Sequence, residues 1–231
     1  MTSGSTAEIR DRRNSIHQDL IPAGRRDATT RRLLSAFKEG LATSGQVEPT
    51  LGNAVEHLLS HAGSMVRPRI VYKLASAYGI EERAATDLAT ALEYFHTASL
   101  VFDDLPCMDN ATMRRGAACV HIEFGESSAI LAALALINRA YALAWRALAS
   151  CPAEYQQSAQ AYLEQHLGTE GLLNGQSLDL NYFRLPHTLD TTERVAQGKT
   201  VSLISLTLVL PAIAGGATPR ERQLLDRIST C

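Results

Sequence analysis

Lysine is nearly missing from this chain: Lys38, Lys73 and Lys199 are the only three, and every other basic side chain is arginine. Positive charge is not in excess either, with 22 basic residues against 24 acidic ones and a formal net charge of -2. A general polyanion binder needs a basic field, so no nucleic-acid partner is expected, and any phosphate affinity must be local, built from a few arginines. Aromatic residues make up only 6% of a chain that is 45% hydrophobic, the composition of an alanine- and leucine-rich helical protein. The four cysteines, Cys107, Cys119, Cys151 and Cys231, show neither CxxC spacing nor the density of a small disulfide scaffold. They fit a reducing cytoplasm, which gives the expected localisation. The longest apolar runs, 129–138 and 201–216, fall short of the roughly 20 residues of a membrane span and read as buried core helices. Residues 1–32 are polar and arginine-rich, with Asp11, Asp19 and Asp27 interspersed. They lack the apolar core of a secretory signal and the acid-poor character of a transit peptide, and read as a tail leading into a first helix.

No alternating strand pattern, no repeat and no linker is visible, whereas apolar spacing is helical throughout. Asp27 or Thr29 is placed to cap a helix carrying Leu33, Leu34, Phe37 and Leu41 that stops near Gly45. Further helices are predicted at 51–61, from Arg67 to Gly79, and at 81–104, 127–149, 154–181 and 192–214. The predicted fold is all-α, one helical bundle spanning 33–231.

Chemistry concentrates at 96–115. The predicted central helix ends in two consecutive carboxylates, Asp103 and Asp104, followed by a proline-broken loop with Asp109. A helix C-terminus is already partly negative, so two acids there repel the dipole and each other. A divalent cation reverses that sign. Magnesium suits the residue types, being a hard ion that takes carboxylate oxygens and is usually shared with substrate phosphates. Arg114 and Arg115 supply planar forks for phosphate oxygens. His96 lies two turns before Asp103 on nearly the same face. By itself it reads as a satisfied core histidine. Cys107 is set aside as a ligand because a soft thiolate is a poor partner for magnesium.

The run FDDLPCMDNATMRRG resembles the first aspartate-rich motif of the trans-isoprenyl diphosphate synthases, or polyprenyl synthetases, and is most similar to the geranylgeranyl type. The DDxxxxD and RRG pattern is met by Asp103, Asp104, Asp109, Arg114, Arg115 and Gly116. HTASL upstream and HIEFGESSAIL downstream extend the resemblance over most of the chain from about residue 50. It implies an isoprenoid-synthase-type bundle around a central substrate cavity, usually as a homodimer, with Mg2+ held by Asp103, Asp104 and Asp109. The implied reaction condenses isopentenyl diphosphate with an allylic prenyl diphosphate by magnesium-assisted ionisation, giving a longer trans-polyprenyl diphosphate such as geranylgeranyl diphosphate.

Other elements of the resemblance assign further residues. In AGSMVRPRIV, Arg67 and Pro68 match the GGKRxRP element that holds isopentenyl diphosphate, but Ser64 and Met65 stand at its lysine and arginine positions. Each lost charge-assisted contact is worth about 1.5–3 kcal/mol, which leaves Arg67, His96 and Arg115 for that diphosphate. RRGAACVH keeps Gly116 and His121 with Ala118 at a proline position, and Leu134 stands where an aspartate is usual. NGQSLDLNYF places Gln176 near the allylic substrate with Asp179 in support. Lys199 and Thr200 match a KT pair, the lysine for the allylic diphosphate and the threonine for the developing carbocation. Ala98 and Ser99, one turn deeper than Asp103, are small enough to leave room for a tail of about twenty carbons.

LLDRISTC resembles the lead-in to the family's second aspartate-rich motif, of the type FQxxDD, and no such motif precedes Cys231, so the bundle is expected to be incomplete at its C-terminus. Asp226 is a single carboxylate and no substitute. The departures leave two other readings: an impaired fragment or non-catalytic partner subunit of such a synthase, and a terpene-cyclase-like enzyme that ionises an allylic diphosphate without condensation.

Overall fold

Asp27 opens the first helix: its carboxylate accepts a hydrogen bond from Thr30 N at 2.7 Å and caps α1 (Ala28–Glu39). The computed structural model describes residues 27–41 and 45–230. The predicted tail up to residue 26, with Asp11 and Asp19, and Cys231 lie outside them. After α1 come α2 (Pro49–Ser60), α3 (Val66–Ala77) and the long α4 (Glu82–Asp103). A two-stranded hairpin, β1 (Met113–Arg114) and β2 (Ala117–Ala118), precedes α5 (Val120–Phe124) and α6 (Glu126–Ala149). The rest of the chain forms α7 (Ala153–Leu167), α8 (Leu172–Leu180), α9 (Leu189–Ala196), a π-helical turn (Gln197–Val201), α10 (Ser202–Ala214) and α11 (Pro219–Thr230). The protein is all-α apart from that hairpin among the described residues.

Two compact units divide the chain. The first takes residues up to 66 together with Thr97–Leu136. In it α2 packs against α1 and α5, burying Leu33, Phe37, Ala54 and Val55. The second takes Arg67–His96 with Ile137 onward, and its core is α10. Every residue of α10 except Ile204 and Leu208 is buried, with α7 and α11 packed along it. Phe95 and Tyr141 meet edge to face at 4.8 Å in the same unit.

Three expectations change. The helix predicted over 154–181 breaks into α7 and α8, because the chain turns at Gly168 and Gly171. A side chain at Gly171 would collide with the carbonyl of His166, so only glycine lets the backbone pass there. The hairpin was not expected, since strands of two residues carry no alternation to read. The apolar runs also understate the helices that contain them. Glu126–Ala149 and the continuous helical stretch Leu189–Ala214 are each long and apolar enough to cross a membrane by length and composition. In their most apolar windows, 39% and 56% of the residues, respectively, are buried.

Leu206 is completely buried in α10. Leu206→Ala should lower the unfolding free energy by about 2–5 kcal/mol in urea denaturation, and a loss under 1 kcal/mol would show that α10 is not a packed core. Gly52 is the opposite case: a methyl group there meets only Val47 Cγ1, at 4.0 Å. Gly52→Ala should therefore stabilise α2 by about 0.5–1 kcal/mol in the same measurement.

Candidate active site

The acidic end of α4 is closed by its own loop. Asp109 N donates to Asp103 O at 2.8 Å, Asn110 N to Leu105 O at 3.1 Å and Ala111 N to Asp104 O at 3.2 Å, so carbonyls left over at the helix end find partners. Asn110 adopts a left-handed φ of 49° in this turn, which asparagine tolerates. The loop thereby folds Asp109 back beside Asp103.

The two adjacent carboxylates are treated differently. Asp104 is 4% exposed and accepts hydrogen bonds from Arg114, through Nε at 3.0 Å and through Nη2. This bond raises the pKa of the Arg114 guanidinium further. Asp103 is only partly buried and Asp109 is exposed. Beside the pair, burial pushes the Cys119 thiol up to about 12, with the Asp104 charge adding to the shift, so it stays protonated at neutral pH.

The hairpin positions the arginines. Arg114 and Ala117 pair across it, and both turn residues have positive φ, 53° at Arg115 and 80° at Gly116. This is the type I′ geometry that a two-residue hairpin favours, and it requires a glycine-like conformation from Arg115. Arg115 Nη1 donates to His61 O at 3.3 Å, and its guanidinium lies over Gly63, where a Cβ would come within 2.8 Å of Nη2. A cavity of about 30 Å³, room for a water molecule, is lined by Thr97, Asp104, Arg114, Arg115 and Cys119 among others. Thr97 Oγ1 is buried there without a hydrogen-bond partner.

The remaining predicted residues lie in the second unit, apart from Ala98 and Ser99 on the last turns of α4. Arg67 Nη1 is 3.1 Å from His96 Nε2. Guanidinium only donates, so Nε2 accepts and the neutral imidazole carries its proton on Nδ1. Lys199 Nζ is 2.6 Å from Asp179 Oδ2, joining the π-turn to α8. Gly175 and Gly198 sit where these elements cross, backbone against backbone: a Cβ at Gly175 would collide with Lys199 N and Gly198 C. Gln176 is half-buried, Thr200 exposed, Ala98 fully buried and Ser99 partly exposed. Met65, at the missing-cation position, is 3% exposed with φ 57°. The Asp104–Arg114 pair and the Gly175–Gly198 crossing were not anticipated; the glycines of NGQ and QGK are the sequence signal for the crossing.

Among the described residues no three His, Cys, Asp or Glu side chains converge as a metal-binding group. Magnesium fits the donors present nonetheless, because it is commonly bound by one or two carboxylates and completes its shell with water and substrate phosphate.

Residues 48–230 match the polyprenyl synthetase family. The chain belongs to that family. It is 37% identical over 227 residues to geranylgeranyl diphosphate synthase of Pseudescherichia vulneris, covering 97% of this chain and 70% of that protein. To geranylgeranyl pyrophosphate synthase 4 of Arabidopsis thaliana it is 36% identical over 191 residues, 80% of this chain and 50% of that protein. The chain thus spans about half the length of the Arabidopsis relatives it matches. The structure is similar to geranyltransferase from Helicobacter pylori complexed with magnesium and isoprenyl diphosphate, with TM-score 0.74 and 25% identity over 87% of this chain and 68% of that one. Its fold is the helical isoprenoid-synthase fold of the polyprenyl synthetases.

Gly175→Ala should cost about 1–3 kcal/mol in stability by overpacking the crossing beneath Lys199, read by thermal or urea unfolding. Iodoacetamide labelling of the native protein at pH 7.4, mapped by mass spectrometry, should modify the exposed Cys107 and spare the buried Cys119 and Cys151. Equal labelling of Cys119 would contradict its burial against Asp104.

Proposed function

We propose that the chain is a magnesium-dependent prenyltransferase that condenses isopentenyl diphosphate with an allylic prenyl diphosphate to give a longer trans-polyprenyl diphosphate, with geranylgeranyl diphosphate as the product. The observation that carries this reading is the folded-back loop that sets Asp109 beside Asp103 while Asp104 anchors Arg114. Asp103 and Asp109 hold magnesium, which when bound stabilises the negative charge of the departing diphosphate. Asp104 fixes the Arg114 fork toward a phosphate rather than serving as a third ligand. Arg114, Lys199 and Gln176 serve the allylic substrate, and Asp179 orients the lysine. Thr200 faces the developing carbocation. Arg67, held by His96, is assigned to the homoallylic diphosphate, and so is Arg115. Hydrogen bonds and charges already in place before ionisation need no reorganisation during it, which is where most of their effect on rate arises.

Tail length is governed by Ser99 and Ala98. Ser99 is the more open of the two, so Ser99→Phe should shorten the product with less disturbance than Ala98→Phe. We also place a second copy of the chain against the outer face of α6, where Ile130, Leu131 and Leu134 are 39%, 51% and 50% exposed. Leu131→Glu with Leu134→Glu should convert a dimer to a monomer in light scattering. The free thiols support a reducing cytoplasm.

A second reading, a non-catalytic partner subunit, draws on Met65: an apolar side chain is buried where the family has a cation for isopentenyl diphosphate. The two are separated by incubating the purified chain with Mg2+, isopentenyl diphosphate and farnesyl diphosphate and analysing products by mass spectrometry. A working synthase gives an elongated diphosphate, reduced about 100- to 1,000-fold in rate by Asp103→Ala. No product from a folded chain would favour the subunit.

A further inference from the structure

Two histidines one helical turn apart, His57 and His61, close α2, and nothing in the proposed prenyl transfer uses either. Their ring centroids are 4.5 Å apart with planes tilted by 43°. Each ring is tethered through one nitrogen to a backbone carbonyl: His57 Nε2 lies 3.0 Å from Ala118 O, and His61 Nδ1 lies 2.8 Å from His57 O. A carbonyl oxygen only accepts, so in the neutral rings these nitrogens carry the protons. The opposite nitrogens, His57 Nδ1 and His61 Nε2, are left with lone pairs. Histidines that bind metals have this arrangement, one N–H held by a carbonyl that fixes tautomer and ring orientation, the other nitrogen presented to the ion. Phe124 steadies the His57 ring further, edge-on at 5.5 Å.

We propose that His57 and His61 form a two-histidine site for a divalent transition ion, of the zinc, nickel or copper class, on the last turn of α2. Both residues border the small cavity beside Arg115. Two features of that surrounding define the ion. No third protein ligand is in place among the described residues, so water completes the shell. The guanidinium of Arg115, bonded to the His61 carbonyl, repels cations, so only ions with strong affinity for imidazole overcome it. That excludes magnesium, which prefers oxygen, and favours the later divalent ions of the first transition row. The site is therefore separate in chemistry from the carboxylates at the end of α4.

The test is zinc titration by calorimetry on the full chain, with any affinity tag removed and millimolar Mg2+ present to occupy the carboxylates. One equivalent of Zn2+ should bind, and His57→Gln and His61→Gln should each weaken it by at least about tenfold, since losing a ligand costs no less than losing the partner that orients one. Glutamine keeps an N–H donor for the carbonyl each histidine holds, which separates ligation from packing. Cu2+ bound to the unaltered protein should show two coupled ring nitrogens by electron paramagnetic resonance, and one in each variant. In parallel, Zn2+ should shift the ring signals of His57 and His61 in the unaltered protein's NMR spectrum and leave those of His96, His121, His166 and His187 in place. Unchanged zinc affinity in both variants, or a single coupled nitrogen in the unaltered protein, would overturn the assignment. Neither outcome depends on whether the chain transfers prenyl groups.

Discussion

A helix that ends in two carboxylates is electrostatically unfavourable, and the arrangement around it resolves the two charges in different ways. Asp104 is drawn into the protein and neutralised by Arg114, an arginine carried on a hairpin ten residues on. Asp103 stays accessible and is joined by Asp109 through the fold-back of the loop. Breaking the first pair would leave a carboxylate that is 4% exposed without its counter-charge, a change that typically costs several kcal/mol. The same ion pair ties the hairpin to the end of α4, next to the folded-back loop.

Arginine suits this role for geometric reasons. Its planar fork reaches Asp104 through two nitrogens, which a lysine ammonium could not do with the same fixed orientation. Lys199, the lysine proposed for the allylic substrate, makes a point contact with a carboxylate oxygen of Asp179 on a neighbouring helix. Its position is set by the main chain, since Gly175 and Gly198 bring two backbones together with no side chain between them. The scarcity of lysine across the chain makes that placement easy to read.

Much of the fold was legible in the sequence. The Asp27 cap, the helix after Val66 and the long helix ending at Asp103 arise from capping residues and apolar spacing, with ends off by a residue or two. The division between α7 and α8 was not legible, because Gly168 and Gly171 sit in a run whose flanks are equally helical. In the site, the acids and arginines were visible as a group. Which carboxylate met which cation was not, because the ten-residue separation of Asp104 and Arg114 is spanned by an irregular loop that leads into a hairpin too short to leave a periodic signal. The pairing of Arg67 with His96, across 29 positions, likewise depends on two helices meeting. His57 and His61 carried an i, i+4 spacing that was readable, but their carbonyl partners emerge only with the fold.

The π-helical turn at Gln197–Val201 also sets the rotational phase of α10. Ser202 N reaches back five residues to Gln197 O, so one residue more than an α-helix needs is taken up within a single turn. Each extra residue advances the helix by about 100° of rotation. The face that α9 presents and the face that α10 buries are therefore offset, although the helical stretch Leu189–Ala214 is unbroken. Lys199 sits inside the offset, like a tooth at the coupling between two shafts that turn together but are not aligned. Shortening this turn by one residue would swing the whole of α10 to a different stripe, and its packed face would no longer meet α7 and α11.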